Sequence, residues 1–345
     1  MPPLGHAQAE GVSLAVARDN RGYRSGGACF GSDALHNLYG VSGLQNNGAE
    51  LNLSETLDRL VYSIQVRGEI PREFRRIHTM SAPTSKGTAL ITGASTGIGA
   101  VYADRLAKRG YDLILVARSQ ENLSEVAARL KSTGRRIETI AADLTKAEDV
   151  RRIAERLRTD PAITALVNNA GLGSAGKLLD SNIDDLESII YLNVTALTRL
   201  ALAALPGFVA RKNGLLINIA SVVALAPDLL NGTYSGTKAY VVNFTQALKN
   251  ELEGTGVTVQ VVLPGATATP FWAKAGRPVD DLPSEIVMAA EDMVDASLAG
   301  LDQHELVTIP ALPDSADWEK YDAARKALGP NLSHRRPAAR YGIQS

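Results

Sequence analysis

The stretch that decides the fold is Thr88-Ala89-Leu90-Ile91-Thr92-Gly93-Ala94-Ser95-Thr96-Gly97-Ile98-Gly99. Its first five residues form a short apolar run, as expected of a parallel strand buried on both faces. Small residues then lead straight into a helical pattern over 100–109. A strand that turns into a helix through small residues lets backbone N–H groups approach a pyrophosphate, whose charge is favoured at the positive end of the helix. Gly93, Ser95, Thr96, Gly97 and Ile98 are therefore the expected cradle, and Gly99 would let the helix pack close against the sheet. The spacing is GxxxGxG rather than GxGxxG, so the strand-to-helix setting carries more weight than the glycines, and a turn serving only packing is the competing reading.

Outward from this turn, apolar runs alternate with amphipathic stretches. Strands are predicted over 88–92, 112–117, 137–142, 165–168, 214–219 and 257–263, with a further candidate over 305–309 and helical crossovers such as 100–109 and 122–132. The alternation implies an α/β fold, a doubly wound parallel sheet of the Rossmann type in a single catalytic domain. Residues 1–79 break the pattern. They are rich in Gly, Asn and Ser and show one helical periodicity, over 54–66, where Leu57, Leu60, Val61 and Ile64 follow a Ser54 cap. Three parts are expected: a poorly structured N-terminal extension over 1–79, the Rossmann-type domain over 80–328, and a Pro- and Arg-rich tail over 329–345. The extension holds no candidate site residue, and Met80 stands just ahead of the first strand. A mis-assigned start is one reading of it, and a partner-binding arm using the 54–66 helix is the other.

The 345 residues carry 36 Lys and Arg against 37 Asp and Glu, a formal charge of −1. No overall bias therefore recruits nucleic acid or an anionic membrane. The sole cysteine, Cys29, excludes an internal disulfide framework and any multi-cysteine metal site, and no metal is expected. Apolar stretches such as 215–227 are interrupted, here by Asn218 and Ser221, and fall short of a membrane span, while the amino terminus lacks a basic-then-apolar signal pattern. The expectation is a cytoplasmic protein acting on a small molecule, without nucleic acid or membrane as partner.

A cofactor with a free ribose 2′-hydroxyl is usually held by a carboxylate at the end of the second strand, roughly 20 residues past the glycines. Here that strand ends Val116-Ala117-Arg118-Ser119, and the first acid downstream is Glu121. An arginine beside a serine suits a 2′-phosphate, because guanidinium makes paired, charge-assisted hydrogen bonds to phosphate oxygens. Arg118 and Ser119 thus point to NADP(H), against the alternative of a solvated loop.

Ser221 follows the fifth strand, Tyr234 comes 13 residues later, and Lys238 lies one helical turn beyond Tyr234. An unperturbed phenol, with a pKa of about 10, exchanges protons poorly near neutral pH. A lysine ammonium one turn away would stabilise the phenolate, and Ser221 would hydrogen-bond a substrate oxygen. All five histidines lie outside 84–303, so imidazole is a poor candidate for acid/base work in this core. A Tyr and a Lys four apart are, by themselves, common surface residues.

Taken in order, Thr92 to Gly99, Asn168-Asn169-Ala170-Gly171, Asn193, Ser221 and Tyr234-Ser235-Gly236-Thr237-Lys238 resemble the signature of the short-chain dehydrogenase/reductase family over about 86–310. The resemblance implies that Tyr234 is the acid/base, that Lys238 holds the nicotinamide ribose and tunes Tyr234, and that Ser221 orients the carbonyl. It further implies a relay water at Asn193, an adenine contact at Asp143, and a cofactor wall of Asn168, Ala170 and Gly171. Pro264-Gly265 with Thr267 or Thr269 would close on the nicotinamide carboxamide. A homodimer or homotetramer is implied by the same resemblance.

The segment 266–285, with Phe271, Trp272 and three prolines, is the expected substrate region and is fairly apolar. An aliphatic or aromatic carbonyl or alcohol is the expected substrate, unless the two aromatics only anchor the loop. The alternatives are a 3-oxoacyl thioester reductase, which the continuation Leu172-Gly173-Ser174-Ala175-Gly176 disfavours, and a non-catalytic NADP(H)-binding redox sensor.

Overall fold

The computed structural model describes residues 85–343 and, before them, four short strands between residues 7 and 25. The chain divides into two compact units, 1–81 and 82–345. In the first, Ala7–Ala9 pairs antiparallel with Val12–Leu14, and Val16–Asp19 with Gly22–Ser25. The sequence reading contained no strands there. Its helix over 54–66 lies outside the described residues.

The second unit is built on a seven-stranded parallel sheet. We number its strands β1 (Thr88–Thr92), β2 (Asp112–Ala117), β3 (Ile137–Ala141), β4 (Ile163–Asn168), β5 (Gly214–Ile219), β6 (Val257–Val262) and β7 (Val307–Thr308). Their order across the sheet is β3-β2-β1-β4-β5-β6-β7, so the direction of winding reverses between β1 and β4. A crevice opens outside the carboxyl ends of the strands at such a switch point. β4 begins two residues earlier than predicted. β7 is cut to two residues because Glu305, ahead of it, turns back: its N–H donates to Gly300 O and its carboxylate accepts from Thr308 Oγ1.

Successive strand residues face opposite sides, and each side has its own helices. Leu90, Ile114 and Leu166 point to the face covered by α3 (Ala147–Thr159), α5 (Leu197–Arg211) and α6 (Gly232–Glu251). Ala89, Ile91 and Leu115 point to α1 (Gly97–Lys108), α2 (Gln120–Leu130) and α8 (Ala290–Asp302). A short α4 (Ile183–Ile190) runs through a π-helical turn, Tyr191–Ala196, into α5. The four-residue α7 (Phe271–Lys274) stands after β6, and α9 (Ser315–Ala327) follows β7. Past α9, where a tail was expected, the chain makes short 3-10 turns at Gly329–Asn331 and Ala339–Tyr341 and stays exposed.

One sequence expectation needs correction. The helical run Ile183–Arg211 spans 29 residues and contains an 18-residue window with a mean hydropathy of 1.5, long and apolar enough to cross a membrane by length and composition. No unbroken apolar run marks it, because Asn193, Thr195, Thr198 and Arg199 interrupt the string without lowering the average enough. In the fold, Leu200, Ala201, Ala204 and Phe208 from this run are buried against the sheet and α3. The expected cytoplasmic location and lack of a membrane partner gain no support from a chain carrying such a helix.

Candidate active site

A cavity of about 930 Å³ lies at the carboxyl ends of β1, β2, β4, β5 and β6. At its nucleotide end, Gly93 and Gly97 adopt left-handed φ values of +67° and +53°, which glycine takes without strain. A Cβ on Gly93 would lie 2.8 Å from Asn169 Nδ2, and one on Gly99 would collide with the Gly93 carbonyl oxygen. The turn is therefore bare backbone, and α1 starts from it without an acidic residue in its first turn or a side-chain cap on its N–H groups. Such an end offers free donors and a positive dipole to an anion. Ser95, Thr96, Gly97 and Ile98 line the cavity there, while Gly99 sits behind it as the packing glycine.

Asn169 holds this turn in place. Its Nδ2 donates to Thr92 O at 2.9 Å and to Gly93 O at 3.3 Å, and its own N–H and that of Ala170 both donate to Thr92 Oγ1 at 3.0 Å. Asn168, expected on the cofactor wall, is the neighbouring residue, and the cavity lining contains Asn169 in its place. Asn168 ends β4 on its buried side, where Nδ2 donates to Asn218 Oδ1 at 3.0 Å, away from the cavity lining. Ala170 and Gly171 do line the cavity, and a Cβ on Gly171 would stand 3.2 Å from Asn193 Oδ1 and 3.6 Å from Lys238 Nζ.

Arg118 is exposed on the cavity wall after β2. Ser119 beside it caps α2, accepting from Asn122 N, so its hydroxyl is already engaged by the fold. Asp143 also reaches the wall, but its Oδ1 closes its own loop by accepting from Thr145 N and Thr145 Oγ1. Of the two threonines left open by the sequence, Thr267 is buried and donates to Gly265 O, whereas Thr269 packs against Gly97. Both line the cavity with Pro264 and Gly265.

At the chemical end, Ser221, Tyr234 and Lys238 converge. Ser221 begins the 3-10 turn after β5, where its Oγ donates to Pro264 O and accepts from Val223 N–H, both at 3.4 Å. Tyr234 and Lys238 are one turn apart near the start of α6, both buried. Lys238 Nζ donates to Ile219 O at 2.9 Å and lies 5.7 Å from the centre of the Tyr234 ring. Burial pushes the phenol above its ordinary value, the Ser221 hydroxyl pulling the other way, and burial pulls the Lys238 ammonium down to about 8. A buried phenol of this kind keeps its proton and can give it to an oxygen that becomes an alkoxide. Asn193 stands one layer back. Its side chain receives Leu172 N–H and donates to Leu172 O and Thr237 Oγ1, clamping the 171–176 loop to the helix between Tyr234 and Lys238.

The family model described as short chain dehydrogenase matches residues 87–279. Among solved structures, a short-chain dehydrogenase from Sphingobium yanoikuyae in complex with NADPH is 45% identical, with a TM-score of 0.71, and the match covers 73% of this chain and 98% of that one. The bulky-bulky ketone specific alcohol dehydrogenase from Comamonas testosteroni is 42% identical, with a TM-score of 0.68, covering 74% and 98% respectively. Human 17-beta-hydroxysteroid dehydrogenase type 3 is 38% identical over 186 residues, 52% of this chain and 59% of that protein. Very-long-chain 3-oxoacyl-CoA reductase-A of Danio rerio is 37% identical over 209 residues, 59% and 65%. The aligned part thus spans about three-fifths of the length of these two curated relatives.

Proposed function

The chain belongs to the short-chain dehydrogenase/reductase family, and on that premise we propose that it moves a hydride between NADP(H) and the carbonyl or alcohol carbon of an apolar small molecule. The observation that carries this reading is the meeting of Ser221, Tyr234 and Lys238 in the same cavity as a bare glycine turn at the head of α1. The glycine cradle would take the pyrophosphate, Arg118 a 2′-phosphate, and Lys238 the nicotinamide ribose, leaving the nicotinamide to supply or accept the hydride. Ser221 would hold the substrate oxygen, and Tyr234 would give it the proton as the carbonyl becomes an alcohol. The lysine charge offsets the phenolate left behind, which burial alone disfavours. Apolar side chains at the substrate end, among them Val222, Leu230, Phe271 and Met288, support an apolar ligand.

A second reading, reduction of a 3-oxoacyl thioester, is favoured by Lys274 and Arg277 at the cavity wall, which offer charge to the phosphates of a carrier. Both readings are tested by turnover of the full chain with NADPH or NADH against a panel of aldehydes, ketones and 3-oxoacyl-CoA. The expected result is NADPH-dependent reduction of ketones, with kcat/KM for NADPH at least about tenfold above NADH, worth roughly 1.4 kcal/mol, and a smaller preference in Arg118→Asp. Arg118 is exposed, so water screens its contribution. Binding of NADPH without reduction of any carbonyl would mean a redox sensor instead. A homodimer or homotetramer remains part of the proposal, supported by family membership.

A further inference from the structure

We infer that Phe271 sets how large a substituent the cavity accepts beside the 171–176 loop, and that position 173 is glycine so that the Phe271 ring can lie there. The inference rests on the reading of the site given above and deepens it. Gly173 is absent from the glycines with left-handed φ, so its backbone would tolerate any L residue. What leaves no space for a side chain is the ring: a Cβ on Gly173 would collide with Phe271 Cζ and approach both Cε atoms at 3.0 and 3.1 Å. On its other side, Phe271 lies 5.9 Å from the Tyr234 ring, tilted by 41°. The ring therefore fills the space between the 171–176 loop and the phenol that meets the substrate oxygen.

The segment carrying Phe271 is anchored on both sides of that notch. Ala175 N donates to Ala275 O at 3.1 Å, tying the loop to the residue after α7. Trp272 Nε1 donates to Thr267 O at 3.0 Å, and its indole meets the Phe271 ring edge-on at 6.0 Å. Leu172, Val223 and Leu230 complete an apolar cluster with Phe271 around Tyr234. A ketone whose oxygen reaches the Tyr234 hydroxyl must direct one substituent toward this cluster. A methyl group fits beside the ring, and an aryl group needs the ring to give way.

The test is kcat/KM for acetophenone and for benzophenone, with NADPH affinity measured separately by fluorescence, in four full-length chains: the parent, Phe271→Ala, Gly173→Ala and the double variant. Phe271→Ala should raise the benzophenone-to-acetophenone ratio at least tenfold, and Gly173→Ala should lower it severalfold by pushing the ring into the cavity. In the Phe271→Ala background, Gly173→Ala should change the ratio less than twofold, because its collision partner is gone. NADPH affinity should stay within twofold throughout, which separates an effect on the pocket from general loosening. Should Phe271→Ala not fold, Phe271→Leu should move the ratio in the same direction by a smaller factor. Parent turnover with an unchanged ratio in the Phe271 variants, or the same Gly173→Ala effect in both backgrounds, overturns this inference alone. A parent that reduces other carbonyls of the panel but neither of these ketones overturns this inference alone, and one that binds NADPH yet reduces no carbonyl overturns the reading of the site with it.

Discussion

Lys238 sits where burial and charge oppose each other. Its ammonium is buried and donates to Ile219 O, with no carboxylate hydrogen-bonded to it among the described residues, and burial pulls it from 10.5 down to about 8. Such a group is an electrostatic liability to the folded chain that the site retains. The linkage has a definite sign. Below about pH 8 both states hold the proton and the full penalty, about 3 kcal/mol at 1.36 kcal/mol per unit, is present. Between about pH 8 and pH 10 the unfolded chain holds more protons than the folded one, so stability should rise with pH. Above that, the phenol of Tyr234, raised by burial, reverses the slope because the unfolded tyrosine ionises first. Urea unfolding of the cofactor-free chain at a series of pH values should show this rise, and Lys238→Met should flatten it. An unchanged slope in Lys238→Met would show that the ammonium does not titrate in this window.

At the scale of elements, the site depends on how α6 is held against the sheet. Asn168 Nδ2 donates to Asn218 Oδ1, Asn218 Nδ2 donates to Thr245 Oγ1 at 2.9 Å, and Thr245 Oγ1 donates to Val241 O. This buried ladder runs from β4 through β5 into the helix that bears Tyr234 and Lys238. Asn218→Leu leaves Asn168 Nδ2 with only a 3.5 Å bond to Leu197 O and takes from Thr245 Oγ1 the donor it accepts from, and should destabilise the chain by about 1–3 kcal/mol. A chemical-denaturation midpoint unchanged from the parent would contradict that role. The ladder also shows what the sequence could and could not disclose. The alternation of apolar runs and the ordered motifs made the sheet, the glycine turn and the Ser221, Tyr234 and Lys238 group legible, because each is local or tied to a strand end. Which of Asn168 and Asn169 faces the cavity depends on the parity of β4 relative to its neighbours, and no pattern in the string Asn168-Asn169 encodes it. Asn193, where the resemblance implies a water, also bonds through its side chain to Leu172 and Thr237 across two elements, which the sequence did not disclose. The Phe271 ring on Gly173 joins residues nearly a hundred positions apart, and only the fold brings them together.

At the scale of the molecule, the order β3-β2-β1-β4-β5-β6-β7 places the glycine turn and the Ser221 turn on either side of the same crevice. Nucleotide and proton donor must share one cavity for a hydride and a proton to reach one carbonyl. Among the described residues, those lining it fall between 93 and 311, and we propose that the domain over 80–328 holds the whole site, with the N-terminal extension and the tail outside the chemistry. We propose that this crevice reduces a carbonyl with Tyr234 as its acid. The most direct measurement follows NADPH consumption and alcohol formation by the full chain and by Tyr234→Phe, with NADPH affinity determined for both. The account predicts stoichiometric alcohol from the parent and a loss of turnover of at least about a hundredfold in Tyr234→Phe, the usual scale of acid/base catalysis, with cofactor affinity held within a few-fold. Turnover by Tyr234→Phe at the parent's rate would contradict it.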